Sequence, residues 1–427
     1  MRIGLRVLSN PLWTGGIHYV LAWATALSRL PEGERPEVVF LVADERGQPI
    51  AEANRHLVSA IEPFDRASEL DLDLVYPATQ LFEAPIGAPW AGWIPDWQCR
   101  YLPELFDQAE YARRDLHFRL LAARTPALAV SSTMAEEDTR RIVGQAMVPT
   151  VRLPFPALVD PAEVAKLPRA AGVPERYLLI CNQWWRHKNL ELPVEALARC
   201  DDRSIELVFT GETKDPRWPD DEARIRGLME QHGLTARCHV LGRIPRETQL
   251  ALLRDCAAVI QPSRFEGWSS VVEEAKVLHR PLLLSKFPVH REQAPEARFF
   301  KTDDAAGLAR AMEDAWAGQI EAVPFDAEAN VMVCAKRLLE LARIAKERYC
   351  PNRHDPGVLV QDFEKALDAL AVQPKMADLV QRQRGAVNVL KRRLSAKEAV
   401  AAMKVEASVD VPSSLFAKVK GWISGRG

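Results

Sequence analysis

Cysteine is sparse and scattered in this chain. The seven residues, Cys99, Cys181, Cys200, Cys238, Cys256, Cys334 and Cys350, include no C-x-x-C pair. An odd, dispersed set argues against a disulfide framework or a thiolate zinc site and fits a reducing compartment. No apolar run approaches eighteen residues, so no segment is expected to span a bilayer. Met1 to Ser9 alternates basic and apolar residues and is too short and too broken for a signal peptide. Neither sign of charge dominates: a net charge of −2 over 427 residues implies no general attraction to nucleic acid. No internal repeat, low-complexity tract or G-x-G-x-x-G fingerprint is present. His279, His290 and His354 lack ligand partners at usable spacing and read as surface or capping residues, so no metal is expected.

What is present is a pattern of short apolar runs alternating with helical stretches. The most informative part is Ala258 to Ser285, AVIQPSRFEGWSSVVEEAKVLHRPLLLS. The run Ala257 to Gln261 reads as a buried strand, and a polar loop, Pro262 to Ser269, follows. Ser270 and Glu273 have capping-box spacing, and Val271, Val272, Ala275 and Leu278 give the helix one apolar face. Pro281 stops that helix before a second buried strand, Leu282 to Leu284. Strand, loop, helix, strand is the unit of an open parallel sheet, whose ligands bind where strands end and helices begin. Two acids lie there eight positions apart, Glu266 in the loop and Glu274 in the helix. Carboxylates suit hydroxyls and free amide N–H groups suit phosphate. A diphosphate between two hydroxyl-bearing rings, a nucleotide sugar, matches that layout. The competing reading leaves Glu274 as a solvated acid favoured by the helix dipole.

Glu266-x7-Glu274, followed by Ala275 and then Pro281 before an apolar strand, resembles the E-x7-E signature of retaining glycosyltransferases of family four, which have the GT-B fold. The resemblance implies that Glu266 contacts the donor sugar. It also implies that the amides of Gly267, Trp268, Ser269 and Ser270 contact the diphosphate and that Glu274 holds the ribose. Gly15 and Gly16, before a helix from about Ile17 to Leu30, resemble that family's N-terminal glycine loop; an ordinary tight turn is the alternative. Asn182 to Asn189, after a strand Tyr177 to Cys181, stands where the family has an Arg and a Lys for the diphosphate. Lys188 matches, Arg186 is a substitute, and Asn182-Gln183 replaces the family's Gly-Arg. Gly211, ending a strand Ile205 to Thr210, points at the same edge. Val240 to Pro245, with Arg243 and Ile244, resembles the segment that contacts the base. Where relatives often carry a histidine, in Trp93 to Gln98, this chain has Pro95 and Asp96. Asp96 is thus the candidate for orienting or deprotonating the acceptor hydroxyl, with an Asx turn or helix cap as its alternative. His117 and Arg119, in the charged helix YARRDLHFR, read as a solvated face.

The expected architecture is α/β: GT-B, two doubly wound Rossmann-like domains facing across a cleft, plus a helical C-terminal tail. Residues 1–155 would form the acceptor-side domain and 170–350 the nucleotide-sugar domain. They would be joined by an irregular linker, Val148 to Arg176, with Pro149, Pro154, Pro156, Pro161 and Pro168. Further strands are expected at Val38 to Val42, Leu72 to Tyr76, Ala91 to Ile94 and Ala127 to Ser131, and helices at Leu190 to Arg199 and Glu247 to Arg254. The resemblance, over roughly residues 1 to 348, implies transfer of a sugar from a nucleotide diphosphate sugar to a glycan or lipid-linked hydroxyl acceptor, without metal, in the cytoplasm. An inactive GT-B subunit that binds donor or glycan and supports a partner enzyme is the alternative. The tail, 355–427, stands outside the resemblance. From Gln373 onward it carries eleven Lys and Arg against four Asp and Glu, a net +7 that leaves −9 for the rest. Its apolar residues at helical spacing, with Phe416 and Trp422, suit an anionic membrane surface at the inner face of the cytoplasmic membrane. They equally suit packing on the protein itself or a dimer contact. The oligomeric state stays open.

Overall fold

The computed structural model describes residues 1–10, 14–80, 86–144, 147–157, 159–215 and 217–350. Two parallel sheets organise them. The first contains β1 (Arg2–Arg6), β2 (Glu37–Val42), β3 (Ala60–Pro63), β4 (Leu74–Ala78), β5 (Trp90–Ile94), β6 (Ala127–Val130) and β7 (Thr150–Arg152), in spatial order β3-β2-β1-β4-β5-β6-β7. The second contains β8 (Leu178–Cys181), β9 (Leu207–Thr210), β10 (Cys238–Val240), β11 (Ala258–Gln261), β12 (Leu282–Ser285) and β13 (Arg298–Phe300), in order β10-β9-β8-β11-β12-β13. Each chain segment starts in the middle of its sheet, works to one edge, and returns to build the other. That is doubly wound order, with a switch point between β1 and β4 and another between β8 and β11.

The helices are α1 (Thr14–Ser28), α2 (Gly47–Ala53), α3 (Gln98–Tyr101), α4 (Gln108–Arg124), α5 (Thr133–Val143), α6 (Pro161–Ala165) and α7 (Glu191–Arg199). There follow α8 (Asp221–Gln231), α9 (Arg246–Asp255), α10 (Ser270–Val277), α11 (Pro288–Gln293), α12 (Ala305–Trp316) and α13 (Ala327–Arg348). Strands such as β8 and β11 are buried along their whole length because helices cover both faces, so they read as continuous apolar runs without alternation. Each sheet has an apolar cluster on either side.

One element crosses over. α13 lies within the range expected for the second domain, yet Cys334, Ala335, Leu338, Leu341, Ala342 and Ala345 join Tyr19, Trp23 and Trp93 in a core of the first sheet. An Asp326 cap, accepting the Ala329 N–H at 2.9 Å, starts that helix. The expected linker is also partly sheet: β7 pairs with β6 as the edge of the first domain, and α6 follows. Gly15 and Gly16 lie in the first turn of α1, whose N–H groups need no intrahelical partner, so glycine is tolerated there. The capping box is not formed. Ser269 is the N-cap of α10 without a side-chain cap bond, and Glu273 is buried against Lys276 at 2.9 Å.

The charged stretch of α4 is not a free solvated face. Asp115 is buried and takes Arg100 at 2.5 Å and Arg119 at 2.8 Å, and burial pushes the neighbouring His117 imidazole down to about 4. His290 is buried in the second domain, not at its surface. His354 and the tail 355–427 lie outside the described residues.

Candidate active site

The carboxyl ends of both sheets carry the residues in question, and the two domains meet there. At the switch point of the second sheet, Asn182 directly follows β8 and Gln261 ends β11. Their buried amides exchange two hydrogen bonds, Asn182 Nδ2 to Gln261 Oε1 at 2.7 Å and Gln261 Nε2 to Asn182 Oδ1 at 3.1 Å. Gln261 Nε2 also lies 3.0 Å from Glu266 Oε1 and 3.2 Å from the Ser269 hydroxyl. Lys188 completes the group: its Nζ stands 2.6 Å from Glu266 Oε1. Both partners are largely buried, at 14% and 7% exposure, so this is a desolvated ion pair. Burial would raise the Glu266 carboxyl, but Lys188, with His290 and His187, outweighs it and holds the group at about 2. Glu266 is therefore a fixed anion with a cation beside it.

Glu274 lies eight residues on. Its Oε1 accepts Arg246 Nη2 at 2.7 Å, and Oε2 has no hydrogen-bond partner among the described residues. Arg246 opens α9, directly after the Val240 to Pro245 segment. In that segment Arg243 is exposed and Ile244 packs on the core. Gly242 supplies the carbonyl that accepts the Gly211 N–H at 2.8 Å. Gly211 has no alternative residue: φ is +108°, and a Cβ would stand 2.1 Å from the Asn182 carbonyl oxygen.

Two expectations need correction. Arg186 does not reach Glu266 or the loop after it. Its guanidinium lies over the Trp218 ring, 3.5 Å from the centroid, and pairs with buried Asp221 at 3.0 Å. An acid with few other partners outcompetes an open cleft for that charge. Nor are all four loop amides free, since the Ser269 N–H donates to Gln293 Oε1 at 3.1 Å. Among the described residues, those of Gly267, Trp268 and Ser270 have no backbone partner outside the regular elements.

The first domain closes over this loop. A Cβ on Gly267 would stand 2.8 Å from Asp96 Oδ2 and 2.9 Å from the Pro95 carbonyl oxygen. Tyr101 meets Phe265, with ring centroids 5.2 Å apart. Asp96 Oδ1 accepts the Gln98 N–H at 2.8 Å, so the Asx turn is formed while the other oxygen faces the second domain. Burial pushes the Asp96 carboxyl up, and Glu266 adds to the rise; the Gln98 N–H, Arg114 and Lys188 pull the other way. Gly15 and Gly16 bring α1 to the same cleft. His18, one turn along, lies near Arg246 and Glu274. Desolvation and then Arg246 lower its pKa, while Glu274 raises it.

The described residues hold no group of three or more His, Cys, Asp or Glu that could bind a metal. Asp71 and Asp73 do stand two apart, but at the amino end of β4, on the rim opposite the cleft. Asp73 is engaged by the Arg2 N–H at 2.7 Å and by Lys346.

Two doubly wound domains that meet at the carboxyl edges of their sheets define the GT-B fold class. Residues 168–330, which span the second sheet, match the family described as glycosyl transferases group 1. No curated protein matches the chain by sequence. Among solved structures, the Anabaena protein Alr3699/HepE in complex with UDP and glucose aligns with TM-score 0.55 at 17% identity, covering 87% of this chain and all of that one. Sucrose-phosphate synthase from Thermosynechococcus elongatus aligns with TM-score 0.52 at 15% identity, covering 86% of this chain and 99% of that one. Trehalose-6-phosphate synthase OtsA aligns with TM-score 0.52 at 11% identity, covering 85% and 99%. At these identities the likeness is one of fold.

Of the residues expected at the site, the structure brings Glu266, Glu274, Lys188, Gly211 and Asp96 to one rim. Sequence reading missed Gln261, Arg246, His18 and Gln293. Arg246 carried a signal, a base in the first turn of a helix where the dipole disfavours it.

Proposed function

We infer that the protein transfers a sugar from a nucleoside diphosphate sugar to a hydroxyl acceptor, with retention at the anomeric carbon and without a metal. The observation that carries this is the buried Glu266–Lys188 pair at the β8/β11 switch point, directly before the loop that leads into α10. In this reading the diphosphate lies against the Gly267, Trp268 and Ser270 amides and Lys188, whose positive charge stabilises the leaving phosphate. Glu274, whose buried Oε2 has no hydrogen-bond partner among the described residues, accepts hydrogen bonds from the ribose hydroxyls, and Glu266 does so from the sugar. The bond from C1 to the phosphate oxygen breaks and a bond from C1 to the acceptor oxygen forms on the same face. The acceptor proton passes to Asp96, whose raised pKa suits a base better than an exposed aspartate does.

The first domain would hold the acceptor. An open hollow of about 540 Å³ at the ends of β2 and β3, lined by Val42, Asp44, Gln48 and Pro63, lies on its carboxyl rim, three strands from β5. Relatives named for UDP complexes and for sugar-phosphate synthesis support a nucleotide sugar as donor. A role in surface polysaccharide or glycolipid synthesis, at the inner face of the cytoplasmic membrane, is the setting we propose. No helix among the described residues is long and apolar enough to cross a membrane.

The test is sugar transfer from UDP-, GDP- and dTDP-linked donors to simple glycan acceptors, comparing the wild type with Glu266→Gln. Turnover by the wild type that falls at least tenfold in the variant is the expected result. No turnover from any donor would overturn the reading.

A further inference from the structure

α11 has only six residues, yet three of its side chains engage three parts of the molecule. Glu292 crosses the cleft. Its carboxylate accepts the Thr133 backbone N–H, at 2.9 Å to Oε2 and 3.1 Å to Oε1, and the Thr133 hydroxyl at 2.9 Å. Thr133 is the first residue of α5 in the other domain. The helix's own cap, Ser132, accepts only the Ala135 N–H, so Glu292 takes an N–H left open at a positive helix end.

Gln293, the next residue, faces the opposite way and is buried. It accepts the Ser269 N–H at 3.1 Å, and its amide lies 2.8 Å from the Ser269 carbonyl oxygen and 3.0 Å from Glu273 Oε1. Lys276 Nζ donates to its backbone carbonyl at 2.8 Å. His290, fully buried, ties the same helix to Ser285 at the end of β12. Neighbouring side chains on one short helix turn together, so a shift that seats Glu292 also moves Gln293. The loop that Gln293 fixes is the one whose Gly267 has no room for a Cβ against Asp96.

We propose that α11 couples the approach of the two domains to the shape of the donor loop, with Glu292 and Gln293 as positioning residues. What the loop holds rests on the proposed function; the coupling itself does not. Glu292 is exposed, so its contact is weak enough to open and close at each turnover. Gln293 is at 4% exposure, so its bonds persist in both states.

The experiment compares the full chain with Glu292→Ala, Glu292→Gln and Gln293→Ala, and with Glu296→Ala as an exposed control. It reads nucleoside diphosphate affinity by calorimetry, kcat and KM, and the radius of gyration by X-ray scattering with and without nucleotide. Glu292→Ala should keep nucleotide affinity within about twofold, lower kcat by about fivefold, and give a larger radius with nucleotide bound; Glu292→Gln should recover part of both. Gln293→Ala should weaken nucleotide affinity by about tenfold. A Glu292→Ala protein with wild-type kcat and radius would overturn the coupling, as would wild-type nucleotide affinity in Gln293→Ala. Absence of turnover in the wild type would instead count against the proposed function, and the radius and affinity would still decide the coupling.

Discussion

Glu266 keeps its charge in a place that would otherwise discharge it. Burial acts to raise its pKa and Lys188 acts to lower it, and the cation prevails. The sign follows. A carboxyl depressed from 4.5 to about 2 on folding contributes stability that is full above the unfolded value and lost as pH falls toward about 2. Glu266→Gln should therefore flatten the acid limb of a denaturant-midpoint profile below pH 4.5, while the profile near neutrality keeps its shape. Lys188→Ala leaves the anion buried without its ion-pair partner and should cost about 3–5 kcal/mol in equilibrium unfolding. A loss under about 1 kcal/mol would mean that water reaches Glu266, and the desolvated pair would be wrong. Gly211 is the other residue with little freedom. Gly211→Ala adds a Cβ 2.1 Å from a carbonyl oxygen at a positive φ, so the second domain should unfold at markedly lower denaturant or fail to fold.

Among the elements, α10 and its loop were legible in sequence and α13 was misplaced. Glu266, Glu274 and the strands around them are local in the chain, and period and spacing report local order well. What surrounds them is not local. Gln261 is only five residues from Glu266, but the Lys188 contact spans 78 residues and the Asn182 contact 79. No periodicity reveals that Arg186 has a better partner in Asp221, or that Gln293 takes the Ser269 amide. α13 is amphipathic by sequence, and only packing shows which sheet its apolar side meets. A Leu338→Ala substitution tests that placement. It should destabilise the first domain by about 2–5 kcal/mol, read by thermal unfolding, because a fully buried leucine leaves a cavity. Nucleotide affinity below the transition should stay unchanged. A loss of nucleotide affinity instead would tie α13 to the second domain.

For the whole molecule, parallel sheets followed from the alternation of runs and two doubly wound domains facing across a cleft followed from the family resemblance; the spatial strand orders bear out the doubly wound order of each sheet. The approach of the domains was not readable, because it rests on single contacts such as Asp96 against Gly267 and Glu292 on Thr133. The proposed chemistry uses amides and the Lys188 ammonium where other enzymes use a metal ion. Activity should therefore survive EDTA, and loss in EDTA restored by magnesium or manganese would contradict that. The basic tail makes a further claim at this scale. The full chain should co-sediment with anionic vesicles more than a version ending at Val372, with the difference fading in salt, whereas equal binding by both would remove the tail as an anchor.

In the proposed reading the acids at Glu266 and Glu274, with Lys188, form a nucleotide-sugar site. Titration calorimetry of UDP, GDP and dTDP against the wild type and Glu274→Ala, in EDTA, tests it most directly. One of the three should bind the wild type, and Glu274→Ala should weaken it by about 1.5–3 kcal/mol, the worth of a charge-assisted hydrogen bond. Binding of none of them, or equal binding to both proteins, would contradict it.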